Sequence, residues 1–106
     1  MQINKIELRN LEIEDYIELK TSMLQAYEEG VDDPYWKKEE IRRLLKIFPE
    51  GQIVIVVDDV VVGAALSLIV DENLALSNHK YNDIITDSKF KAHNPDGDVL
   101  YGIDVF

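Results

Sequence analysis

The chain has 106 residues, 21 of them acidic against 11 basic, for a net charge of −10. That length suits one domain, and 46% hydrophobic residues suffice for a core. The charge excludes a phosphate-binding surface of clustered Lys and Arg, so no nucleic acid is expected as a partner, and an anionic membrane surface would repel the chain. Such acidity either keeps a chain soluble or draws in a cationic amine. There is no cysteine, so disulfide and thiol chemistry are excluded. Residues 1–10 carry no apolar run of signal-peptide length. The longest apolar run, Val60–Val70, is broken by Gly63 and Ser67 and is too short to span a bilayer as a helix. A cytoplasmic protein is expected.

Ile6 and Leu8 alternate with Glu7 and Arg9, which predicts a short, half-buried first strand. A helix is predicted over 13–28, with Ile13, Tyr16, Ile17, Met23, Leu24 and Tyr27 as its apolar stripe. Glu12, Glu14 and Asp15 place negative charge at its positive end, and Gly30 is the stop. A turn over 31–35 leads to a second helix over 36–48, buried through Ile41, Leu44, Leu45 and Phe48 and ended by Pro49 and Gly51. Ile53–Val57 and Val60–Val70 read as strands joined by a two-residue turn, Asp58-Asp59. The second of these is apolar on both faces and should be a central strand covered on both sides. Gly63, Ala64 and Ala65 leave room there for a close neighbour.

Residues 71–97 form a long polar connection with a short helix possible over 81–86. His79 and His93 lie in it, and together with Asp96 and Asp98 they match no metal-ligand spacing, so they read as surface histidines and no metal site is expected. Asn94-Pro95-Asp96-Gly97 is a turn leading into a last strand over 98–106. The fold class expected is α+β: a mostly antiparallel sheet of about four strands with two helices after the first strand.

Three segments carry a family resemblance. They are Ile6-Glu7-Leu8-Arg9-Asn10-Leu11 leading to Asp15, the run from Gly51 to Ala65 with its acidic turn and Val61-Val62-Gly63, and the strand from Asp98 to Phe106. In that order they resemble the N-terminal half of a GNAT (Gcn5-related) N-acetyltransferase, with a further likeness to the GNAT module fused to bacterial carbon–nitrogen hydrolases. In the family a Gly-rich pyrophosphate loop follows the fourth strand, where backbone N–H groups hold the phosphates. Residues 1–106 are therefore expected to be one truncated GNAT-like domain, with 71–97 as an inserted loop and little or no acetyl-CoA binding or activity alone.

The resemblance implies acetyl transfer from acetyl-CoA to a small-molecule or peptide amine. It places the cofactor against backbone N–H groups near Val105 and Phe106, which would polarise the thioester carbonyl. Asp104 is the catalytic base by position and Tyr101 the alternative; their odd spacing puts them on opposite faces of a regular strand. A structural reading of Asp104 is an edge charge that blocks aggregation. Tyr27, Tyr35 and Trp36 lie where the family shapes its acceptor site, or else they are core. The alternative to an enzyme is a non-catalytic interaction module. Its exposed last strand, rich in Val99, Leu100, Ile103, Val105 and Phe106, would pair with a second copy as a homodimer.

Overall fold

The computed structural model describes residues 4–26 and 36–106. Its sheet runs β1 (Ile6–Asn10), β2 (Ile53–Val57), β3 (Val60–Val70) and β4 (Val99–Val105), in that spatial order and antiparallel throughout. Helices α1 (Tyr16–Ala26) and α2 (Lys38–Ile47) separate β1 from β2, and the short α3 (Glu72–Ala75) and α4 (Tyr81–Ile85) lie between β3 and β4. The expected α+β meander with two helices after the first strand is the fold observed. Residues 71–97 are thus more structured than their polarity suggests, because Ile84 and Phe90 are anchored in the core. The turn over 31–35 and the residues Tyr27, Gly30 and Tyr35 lie outside the described residues.

The core fills one side of the sheet. Leu19 and Met23 of α1 and Ile41 and Leu44 of α2 pack on Val54, Val56, Val61, Ala64, Leu66, Leu68 and Val70. The α1 stripe differs from the expected one. Tyr16, Leu19, Ser22 and Met23 are buried, whereas Ile17 is 79% exposed. A single apolar residue off the 16–19–23 row carries little weight once that row faces the sheet.

β3 is apolar on both faces but covered on one, which departs from the two-sided cover expected of it. Ile6 and Leu8 of β1 also point to the uncovered face, 64% and 69% exposed, while their neighbours Glu7 and Arg9 turn to the helix side. Arg9 is there for Asp15. Its guanidinium donates two 2.8 Å hydrogen bonds to that carboxylate, which also accepts the Glu12 N–H at 2.8 Å. The Arg9 hydrogen bonds hold the Asp15 carboxyl below its ordinary range against an opposing effect of burial. This clamp fixes the exit of β1 to the start of α1, and it gives the first family-like segment a physical reason.

The Asp58-Asp59 turn has φ of 47° and 68°, the doubly left-handed backbone of a two-residue hairpin. Asp58 earns its place by its side chain, which accepts the N–H groups of Asn4 and Lys5 at 3.1 and 2.9 Å. The start of β2 is held differently. Gln52 is fully buried, and its side-chain amide donates to Phe48 O and Ser67 O and accepts the Ser67 N–H, at 2.9, 2.8 and 2.9 Å. The side chain thereby does for Ser67 what another residue of β2 would have done.

His93 is not a surface histidine. Its ring stacks on Phe48 with centroids 4.7 Å apart, and its Nδ1 accepts the Ile69 N–H at 3.1 Å. Burial pushes this imidazole below its ordinary range. The unfolded chain therefore takes up the proton first, so stability is complete above about pH 6.5 and falls as pH drops below it. Urea midpoints between pH 7.5 and 5 should show that loss. His93→Asn, whose side-chain oxygen accepts the same N–H at any pH, should flatten it.

Candidate functional site

β4 carries most of the residues on which chemistry was expected, and a bulge decides how it presents them. Leu68 pairs with Tyr101, Ser67 with Gly102 and Leu66 with Asp104, so β4 has one extra residue opposite Leu66 and Ser67. Ile103 is that residue and is buried. Leu66 and Leu68 both point into the helix-side core. Cross-strand partners share a face. Tyr101 and Asp104 therefore lie on the same face of the sheet, where unbroken alternation would have put them on opposite faces. The bulge overturns the parity, as one extra residue in a strand must.

Asp104 is not a bare edge charge. The indole Nε1 of Trp36 donates to its Oδ2 at 2.8 Å. Trp36 itself is 1% exposed, tilted against Phe90 with ring centroids 6.0 Å apart, and its carbonyl accepts the Tyr16 hydroxyl at 2.7 Å. Of the three aromatics expected near an acceptor, Tyr27 and Tyr35 lie outside the described residues. Trp36 is a core residue whose polar edge orients a carboxylate.

The two amides expected to face a cofactor are not equivalent. Phe106 and Ala64 exchange both backbone hydrogen bonds, at 3.0 and 2.9 Å, so the Phe106 N–H is committed to the ladder. Antiparallel pairs alternate between bonded and non-bonded. The adjacent pair, Ala65 with Val105, is non-bonded, and β4 is the edge strand of the described sheet. The N–H and C=O of Val105 thus point away from β3 to the open edge. Close approach here depends on Gly63, where an added Cβ would sit 2.3 Å from the Phe106 carbonyl oxygen.

The connection between β3 and β4 returns along this strand. The Tyr81 hydroxyl donates to the Ile103 carbonyl at 2.7 Å, and His79 Nε2 lies 2.9 Å from the Tyr101 hydroxyl. From the sequence, His79 reads as a surface histidine. Its partner is 22 positions away, and no local pattern signals a contact at that separation. A shallow depression lined by Asp71, Glu72, Asp96 and Asp98 lies at the start of β4. Among the described residues no group of three His, Cys, Asp or Glu side chains is placed to hold a metal ion. None of the described helices is long and apolar enough to cross a membrane.

No family model matches the chain. It is 32% identical over 104 residues to the probable hydrolase YhcX of Bacillus subtilis, covering 95% of this chain and 19% of that protein. It is 25% identical over 101 residues to YkwB of the same organism, described as an uncharacterized N-acetyltransferase, covering 90% of this chain and 45% of that one. Among solved structures, the loading GNATL domain of CurA from Lyngbya majuscula superposes with a TM-score of 0.67 at 27% identity, over 92% of this chain and 45% of that one. The GNAT-like decarboxylase GphF, solved with isobutyryl-CoA, superposes with a TM-score of 0.69 at 19% identity, over 93% of this chain and 47% of that one. The chain thus spans about a fifth of one curated relative and just under half of the other. Its four-stranded antiparallel fold is GNAT-like, and the chain covers about half of the GNAT-like chains it superposes on.

Proposed function

We propose that this chain supplies one half of an acyl-CoA-dependent N-acyltransferase site, with acetyl-CoA as donor and a primary amine as acceptor. The observation that carries the reading is the end of β4. A backbone N–H at Val105 faces the open edge, and Asp104 and Tyr101 lie together on the helix face of the same strand. An acyl thioester lying along that edge would place its carbonyl oxygen on the Val105 N–H, which stabilises the oxyanion. Asp104, oriented by Trp36, or Tyr101 beside it on the same face would take the proton of the ammonium. Phe106, its amide already bonded, serves by fixing the register that aims Val105. The net charge of −10 favours a cationic acceptor. Tyr27 and Tyr35 retain a proposed acceptor-binding role from the family likeness alone. A cytoplasmic setting belongs to the same proposal, as does a hydrolase on the same polypeptide, which the likeness to the probable hydrolase YhcX suggests and which the family resemblance would make a carbon–nitrogen hydrolase.

The test is thiol release from acetyl-CoA by the full-length protein across a panel of primary amines. Amine-dependent release is the expected result. Release that no amine stimulates would remove the amine from the proposal.

The second reading, pairing of two copies through β4, draws on the exposure of Leu100 and Val105, 67% and 72%, on an edge strand. Two features weaken it. The bulge breaks the flat ladder that a partner strand needs, and Tyr81 already occupies the Ile103 carbonyl. Sedimentation at high micromolar concentration decides it: a dimer that Leu100→Lys converts to monomer supports the module, and a monomer throughout removes it.

A further inference from the structure

We propose that His79 is the positioning and proton-holding partner of Tyr101, so that the two act as a relay which draws the proton from the acceptor amine. This rests on the acyl-transfer reading above and deepens it. Two contacts define the ring. His79 Nδ1 lies 3.0 Å from the Ser77 carbonyl oxygen, and Nε2 lies 2.9 Å from the Tyr101 hydroxyl. A carbonyl only accepts, so Nδ1 carries the hydrogen. In the neutral ring Nε2 is then the bare nitrogen, and the Tyr101 O–H donates to it. The rings meet edge-on, with centroids 5.6 Å apart at 64°, which holds the imidazole in place through either protonation state.

This tautomer lock is what a base needs. When Nε2 gains a proton, the Ser77 bond persists, and the Tyr101 oxygen turns from donor to acceptor without either side chain moving. Tyr101 is the member that reaches the reacting amine, because it shares its face with Asp104, across from Leu68 and Leu66. Asp104 shares the strand and face of Tyr101, and Lys80 and Tyr81 follow His79 in the chain. Tyr81 is tied to the Ile103 carbonyl, and Asp104 to the Trp36 indole.

The steps balance. One ammonium proton passes to the Tyr101 oxygen as the Tyr101 proton passes to His79 Nε2. The freed nitrogen lone pair forms the bond to the thioester carbonyl carbon. The C–S bond then breaks, and its electron pair leaves on sulfur. The second proton of the nitrogen ends on that sulfur, giving the free thiol, and His79 returns its proton to water.

Two measurements on the full-length protein test this. Imidazole ¹⁵N spectra should show His79 as the Nδ1–H form, with its Nε2 resonance displaced in Tyr101→Phe; an Nε2–H ring overturns the pairing whether or not turnover is seen. In the acetyl-CoA assay, His79→Gln keeps an acceptor for the Tyr101 hydroxyl but cannot take a proton. It should lower kcat about 10²-fold with KM nearly unchanged and abolish the acid limb of the kcat profile. The double variant with Tyr101→Phe should be no slower than Tyr101→Phe alone. A His79→Gln variant with the parent kcat and acid limb overturns the relay. Absence of amine-dependent thiol release in the parent protein would instead count against the acyl-transfer reading, and the spectra would still decide the pairing.

Discussion

Replacing Val105 by proline should lower kcat for acyl transfer by about 10²–10³-fold, the usual cost of losing one oxyanion donor. The substitution isolates the amide from the side chain. Proline on an edge strand is tolerated where the missing N–H faces outward, and the Val105 N–H does. Val105→Ala removes most of the side chain and keeps the donor, so it should be near neutral. Phe106→Pro gives the contrast. Its N–H is bonded to Ala64 O at 3.0 Å, so that variant should lose stability through a broken ladder. Circular dichroism and urea unfolding, run beside the acetyl-CoA assay, would separate the two effects. A Val105→Pro enzyme with unchanged kcat would remove this amide from the mechanism.

Gln52→Leu should be among the most damaging single changes to the fold, at about 3–5 kcal/mol. Leucine fits the volume but leaves the Ser67 N–H, the Ser67 carbonyl and the Phe48 carbonyl without the partners they have now. Each buried group stranded in that way costs about 1–3 kcal/mol. A small domain has only about 5–15 kcal/mol in total, so this variant approaches the threshold of unfolding at room temperature. Gln52→Glu should be worse at neutral pH, because a carboxylate would face two carbonyl oxygens while fully buried. Urea titration of the two variants checks both the size and the order. A Gln52→Leu midpoint close to the parent would show that water replaces the amide.

The sequence announces this fold most clearly where one signal has no competitor. Ile53–Val57 and Val60–Val70 are nearly unbroken runs of β-favouring residues around a two-residue acidic turn, and both strands and the hairpin are where that pattern puts them. The second helix is likewise clear, because Ile41 and Leu44 stand in a charged background that leaves one apolar row. What stays hidden depends on contacts between distant positions. The side of α1 that turns inward is set by the sheet it meets, so Leu19 is buried and Ile17 is not. Gln52 reads as an ordinary polar residue before a strand, since the Ser67 groups it satisfies are 15 positions away. Asp104 and Tyr101 were nominated from their strand and their chemistry. Their shared face was not legible, because nothing in Tyr101-Gly102-Ile103-Asp104 states that one residue is left over. His79 was lost for the same reason: its ring is given meaning by a strand that follows it by more than twenty residues.

The surplus residue in β4 also separates two properties that usually travel together in a strand. In regular β structure, the direction in which a side chain points and the direction in which its own amide points are locked in phase along the whole length. Ile103 resets that phase once, near the end, so the side chains of Tyr101 and Asp104 agree while the amide of Val105 still reaches the rim. Deleting a single residue at Gly102 or Ile103 would therefore remove the bulge and return β4 to plain alternation. The shortened strand could pair with β3 without a break, and Tyr101 and the carboxylate, now two positions apart, would still share a side. The surplus residue thus lets two side chains three positions apart do together what two positions apart would do in a regular strand, and it sends Ile103 into the core with its carbonyl turned to Tyr81.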